Sequence, residues 1–287
     1  MSGPATAVAV ATGLASAAAF GLASALQHHQ AGRVTRTGAL DPALLSSLVR
    51  RPLWLLGVLA DGLAVALQAV GLRFGPVALV QPLLIAGLPV AVVLSALLEH
   101  RRPSGREVAG ILLCTAGLAV LAPATATAGL GGDPGRRSAI LAGLVLAAVV
   151  GALLLAARLR NHWSPVATGT AAGVTVGAGS VLLAVCALRV DHPGRLLTSI
   201  APYALIAVGL LGLALTQAAF QTGALGAPLA ALSVMEPVVA VALAVAVLHE
   251  HLPAAATGRV LAAIGATAAV AGVVVLSRRA PARARAG

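Results

Sequence analysis

The chain has no lysine: all 19 of its basic residues are arginine. It also holds only eight acids, two cysteines and six aromatic residues (3 Phe, 2 Trp, 1 Tyr) in 287 positions. Each shortage closes off a class. Charged residues make up 9% of the chain, against roughly 25% in soluble domains, and that excludes an ordinary soluble fold. Cys114 and Cys186 stand far apart inside apolar runs, so neither a disulfide framework nor a cysteine metal site is expected, and both read as small packing residues. There is no H-E-x-x-H, no phosphate loop with its lysine, and no Ser–His or paired-Asp arrangement within the apolar runs. An enzyme is not expected, and neither is a cofactor.

Apolar sequence is abundant instead. Hydrophobic residues are 59% of the chain and the mean hydropathy is +0.99. Apolar runs of about 20 residues are membrane spans. Nine are expected, at 5–26, 53–72, 76–98, 105–123, 138–157, 165–188, 199–221, 226–248 and 256–277. The fold class is therefore an all-α, polytopic membrane helical bundle. The first span has no basic residue before it and basic residues after it, the wrong polarity for a cleaved signal peptide, so it is expected to be retained. The net charge is 19 − 8 = +11. Those arginines lie between and after the spans, where cytoplasmic loops collect them, so no nucleic-acid partner is expected. With the N-terminus outside, the outer loops hold six arginines (73, 136, 137, 189, 195, 259) and the inner side the other 13. The C-terminus is then cytoplasmic, and Trp54 and Trp163 sit at inner interfaces.

Only two connections are long, 27–52 and the Gly/Pro/Thr-rich 124–137. The second divides the chain into 5–123 and 138–277, followed by a basic tail at 278–287. Residues 68–103 and 217–253 read alike. Each runs from Gln-Ala through a Gly-containing turn into a Pro-bearing helix, then ends on Glu-His and a proline. "VQP" at 80–82 answers "MEP" at 235–237. In the nine-span arrangement Glu99 faces the cytoplasm and Glu250 the exterior, so the copies are inverted, which is the pattern of secondary transporters with a midplane site.

Two ionisable residues lie deep in spans, Asp61 and Glu236. A charge at the bilayer centre costs about 3 kcal/mol on insertion scales, so both are candidates for substrate or metal-cation binding. Pro237 removes the bond to the carbonyl of Ser233 and leaves bare oxygen beside Glu236. Gln68 shares a helix face with Asp61, Gln81 stands beside Pro82 and Gln217 beside Thr216. These three amides are candidate substrate contacts, with interhelical hydrogen bonding as the competing reading. Pro82, Pro89 and Pro237 are candidate hinges. Gly169, Gly173 and Gly177 form a small-residue face suited to close helix packing. His28, His29, His100, His249 and His251 cluster at span ends and read as interfacial.

The segments "FGLASALQHHQA" (20–31), "WLLGVLADGLAVALQAVGLRFGPVALVQPL" (54–83), "LLEHRRPSGREVAGILLC" (97–114) and "LTQAAFQTGALGAPLAALSVMEP" (215–237) carry a family resemblance. The chain resembles the EamA-like drug/metabolite transporter superfamily and is most similar within it to NIPA-like magnesium transporters. "PVALVQPL" is the most specific piece. The resemblance implies two inverted halves of four and five helices and transport of a small solute or of Mg²⁺. The chain departs from the family pattern where Gln68 takes an Asn place and Asp61 lies one helical turn before the usual acid. The expected partners are lipid, a small solute or cation and, as an open alternative, a second copy of the chain. The alternative function is a non-transporting membrane scaffold.

Overall fold

The computed structural model describes residues 3–31, 46–100, 102–125, 148, 151–152, 165–220 and 226–277. The regular elements among them are helices: α1 Gly3–Ala31, α2 Pro52–Phe74, α3 Val77–Leu83, α4 Gly87–Leu98, α5 Gly105–Thr125, α6 Pro165–Leu188, α7 Pro193–Thr198, α8 Ala201–Phe220, α9 Gly226–Val247 and α10 Ala256–Ser277. Among the described residues seven helices are long and apolar enough to span a bilayer, with Val77–Leu98 counted as one, and 231–247 of α9 forms a shorter apolar stretch. The chain is a multi-pass helical membrane protein. Lipid offers no partner to a backbone N–H or C=O, so a crossing segment must satisfy its backbone within itself. Eight of the nine expected spans fall on these helices. The fifth, 138–157, lies outside the described residues apart from 148, 151 and 152, as do Trp163, the tail and most of 124–137.

Local chemistry sets the helix starts. Pro52 opens α2, where its missing N–H costs nothing. Ser104 and Glu107 form a capping box before α5: the Ser104 N–H donates to Glu107 Oε2 at 2.6 Å, and the Glu107 N–H donates to Ser104 Oγ at 3.3 Å. Between α3 and α4 the crossing tightens to a 3₁₀ turn at Leu84–Ala86. Pro89 has no N–H for the carbonyl four residues back, Ile85, and that loss falls inside the turn. The α9 helix runs unbroken through Pro237. The two segments that read alike in sequence therefore differ: a 3₁₀ turn lies between Pro82 and Pro89 in one helix, whereas a lone Pro237 leaves the other continuous.

Close contacts at glycines give the helix directions. A Cβ on Gly13 would sit 3.0 Å from Leu83 and one on Gly21 2.6 Å from the Gly87 carbonyl, so α1 runs parallel to α3–α4. Gly57 of α2 faces Leu26 and Gln27, and Gly71 faces Ala9 and Thr12, so α2 is antiparallel to α1. In the second part Gly173 meets Leu232 and Met235 while Gly177 meets Glu236 and Val239, so α6 and α9 are parallel. Gly179 faces Val208 and Gly212 faces Val176, so α8 is antiparallel to α6. Finally, Gly117 faces Gly265 and Ala269 while Gly272 faces Gly110 and Cys114, an antiparallel α5–α10 pair. Small residues let these backbones touch where lipid supplies no apolar drive.

One end of the bundle is closed by an apolar cluster that includes Ala9, Leu72, Val77, Leu79, Val185, Ala201, Ala244 and Leu248. Glu250 reinforces it from just beyond α9. His249 adopts φ 56, a left-handed turn that ends the helix, and Glu250 then folds inward to 4% exposure. The Val77 N–H donates to Glu250 Oε1 at 2.7 Å and the Ala78 N–H to Oε2 at 3.1 Å. The carboxylate thus caps two of the unpaired amides that begin α3, at the positive end of its dipole. Burial pushes the Glu250 carboxyl above the usual range, and the two amide bonds pull it part of the way back. Arg73 and Asp191 pair on the exposed rim nearby.

Glu250→Ala is expected to lower the stability of the purified protein by about 2 kcal/mol, the scale of a lost cap with buried amides left unpaired. Thermal unfolding in detergent checks it, with Asp191→Ala as the comparison. That exposed pair is expected to contribute at most about 1 kcal/mol.

Candidate functional site

Between α1, α2, α4, α6, α8 and α9 lies a cavity of about 200 Å³. Its wall holds Asp61 from α2 and Glu236 from the middle of α9, with Ser24, Gln27, Gln68, Thr175, Ser180, Thr216 and Ser233. Among the described residues no Arg or His is on that wall. The two carboxyl groups line the same cavity, and no basic side chain among the described residues of the wall neutralises either. Glu236 Oε1 is buried and has no hydrogen-bond partner among the described residues. An unpaired buried carboxylate oxygen is costly.

The neutral residues are mostly committed to one another. Gln68 Nε2 donates to Ser180 Oγ at 3.1 Å, joining α2 to α6, and Ser180 Oγ donates to the Val176 carbonyl at 3.2 Å. Gln217 is fully buried on α8 and lies off the cavity wall. It accepts from Trp54 Nε1 at 3.2 Å and donates to Gln27 Oε1. Gln27 and Asp61 both line the cavity. Gln81 is also fully buried and off the wall, and neither of its amide atoms has a partner among the described residues. Of the five residues expected to bind substrate, the fold brings Asp61, Gln68 and Glu236 to one cavity. Pro89 lies beside the α4 part of the wall formed by Gly87, Leu88 and Ala91, and Pro237 directly follows Glu236. Pro82 lies inside α3.

Gln27 is the site residue that sequence reading passed over. The polar run "QHHQ" at 27–30 looks like the exit from the membrane, yet α1 continues to Ala31 and buries Gln27 and Gln30. His28 between them is half-buried, its ring edge-on to Phe220 at 5.8 Å between centroids. No group of three metal-ligating side chains occurs among the described residues. An ion held here would rest on two carboxylates and keep much of its water, as Mg²⁺ does.

Fold and cavity define a multi-pass membrane protein with an acidic pocket inside its helical bundle. The chain belongs to the same family as an uncharacterised protein of Corynebacterium glutamicum, to which it is 30% identical over 250 residues, 85% of each chain. No family model and no solved structure matches it.

Proposed function

We propose that the protein is a secondary transporter of the drug/metabolite type, carrying a small cation or cationic solute through the bilayer by alternating access. The observation that carries this reading is the pair Asp61 and Glu236 on a cavity wall with no basic side chain among the described residues. A site of one sign excludes anions and selects positive charge, whether a divalent ion such as Mg²⁺ or an organic ammonium. The Mg²⁺ option rests on the NIPA-like resemblance.

Two inverted units form part of the proposal. Its support is the antiparallel α5–α10 pair and the reach of Glu250, at the end of α9, to the start of α3. An antiparallel α5–α10 pair needs an even number of crossings between them. The helices α6, α8 and α9 supply three, and the expected span 138–157 is the fourth. Nine crossings place the termini on opposite faces, with the N-terminus outside and the C-terminus in the cytoplasm of a plasma-membrane protein.

The test is purified protein warmed with a panel of divalent cations and small amines, followed by uptake into reconstituted vesicles. A ligand bound only by the folded state, at 100 times its Kd, stabilises it by about 2.7 kcal/mol. A cation that stabilises and is then taken up supports transport. A scaffold role is favoured by the committed amides, Gln68 on Ser180 and Gln217 on Trp54; absence of both stabilisation and uptake across the panel would select it.

A further inference from the structure

The acids and the most apolar part of the cavity wall stand at different heights along the bundle. Gly177 of α6 faces the Glu236 carbonyl of α9, and Gly212 of α8 faces Thr175 and Val176 of α6. Glu236, Val176 and Gly212 therefore share one level. Further along α6, Gly179 faces Val208 of α8. From there toward Leu205 the wall presents Gly179, Leu183, Leu205, Val208 and Gly209. The polar side chains of the wall at this level, Gln68 and Ser180, are bonded to each other at 3.1 Å. Leu183 belongs to the apolar cluster that closes this end of the bundle, and Leu205 packs against it. From Gly212 to Leu205 is seven positions of α8, about 10 Å of helix. The cavity thus holds its acids at and below the level of Glu236 and runs on as an apolar recess toward the closed end.

We infer that the cavity takes a small organic ammonium ion with an apolar body, its head at Asp61 and Glu236 and its body in the recess toward Leu205. The inference rests on the cavity being the cation site proposed above. Hydrated metal ions fit this shape poorly. Mg²⁺ keeps several of its waters, and waters turned toward Leu183, Leu205 and Val208 face side chains that accept no hydrogen bond, which is costly in a buried place. An ammonium ion gathers its hydrogens at one end. There they meet two carboxyl groups and Thr175 Oγ1, whose own hydrogen goes to the Ala171 carbonyl at 2.8 Å. The alkyl body leaves water for the recess, and each buried methylene adds to binding. Size is limited too. At about 200 Å³ the cavity falls below the roughly 300–1,000 Å³ of pockets for drug-sized ligands, so the body is short.

The test is isothermal titration of the full chain in lipid nanodiscs with n-alkylammonium ions from ethyl to hexyl, empty nanodiscs being subtracted. Affinity is expected to rise about fourfold per methylene, the equivalent of about 0.8 kcal/mol, until the recess is full. The matching alcohols, which lack the charge, are expected to bind roughly tenfold or more weakly. Two variants narrow the recess. A Cβ on Gly179 would make an ordinary contact with Val208 at 3.6 Å, and one on Gly209 would meet no described residue within 4 Å. Gly179→Ala and Gly209→Val are therefore expected to fold. In both, the hexyl ion is expected to bind about fivefold or more weakly than in the parent, and the ethyl ion to change by less than about twofold. A flat series in the parent protein overturns the inference. So do alcohols that bind as well as the amines, or a rise with length that both variants leave unchanged. If Mg²⁺ binds and no amine does, the inference falls and the cation reading stands; if neither binds, both fall.

Discussion

Glu236→Gln is expected to abolish cation uptake while leaving a folded protein. The substitution keeps the shape of the side chain and removes one of two charges on the cavity wall. A unit positive charge about 6 Å from a carboxylate, at an effective dielectric constant near 20, gains about 3 kcal/mol. Losing that weakens binding on the order of 100-fold, and a divalent ion suffers more. The effect on stability has the opposite sign. The buried Oε1 lacks a partner, and an amide is cheaper to bury than a charge, so the ligand-free variant is expected to unfold at the same temperature or higher. Uptake in vesicles and thermal unfolding of the same preparation check both halves of the expectation. Full uptake by the variant would remove Glu236 from the mechanism.

Gly117→Val is expected to prevent assembly of the bundle. On α5 a Cβ at this position would run into the backbone nitrogen of Ala269, with the Gly265 carbonyl 2.6 Å away. The obstacles are main-chain atoms of α10, which cannot turn aside as a side chain would. Overpacking of this kind costs about 1–3 kcal/mol and sometimes more, and here it would pry apart a whole antiparallel pair. Gly272→Val attacks the same seam from the other helix, where Cys114 N stands 2.6 Å away. Gly62→Ala is the control, because nothing lies within 4 Å of its Cβ position. The expected result is loss of the monodisperse peak in size-exclusion chromatography for both valine variants and an unchanged peak for the control.

How much of this was legible beforehand differs residue by residue. Asp61 and Glu236 announce themselves in sequence, since an acid within an apolar run of 20 is too costly to pass unnoticed. Gln68 and Gln217 stand out for the same reason at lower cost. Their partners do not, because Ser180 lies 112 residues from Gln68 and Trp54 lies 163 from Gln217. No local pattern encodes such pairings. Gln27 was hidden by its neighbours: four polar residues in a row resemble a helix leaving the membrane, and only the packing of α1 shows that Gln27 and Gln30 are buried. Glu250 was hidden by position. A glutamate at a span end reads as interfacial, and the amides it caps belong to a helix 172 residues away. Proline misled in a different way, since Pro237 sits within an unbroken helix while Pro82 and Pro89 flank a 3₁₀ turn.

From its residues alone this chain is bound to be a bundle of apolar helices in lipid, with small residues to bring them close and two acids kept at a cost inside it. Those properties are local, set by transfer free energy and backbone hydrogen bonding over about 20 residues at a time. What only the tertiary structure decided is which polar groups meet: two acids sharing one cavity, a tryptophan bonded to Gln217 and Gln217 to Gln27, and Glu250 closing the start of a distant helix. Hydrogen bonds and charges act over a few ångströms in space, whatever the distance along the chain. Their partners are therefore chosen by the packing of helices and not by the order of residues.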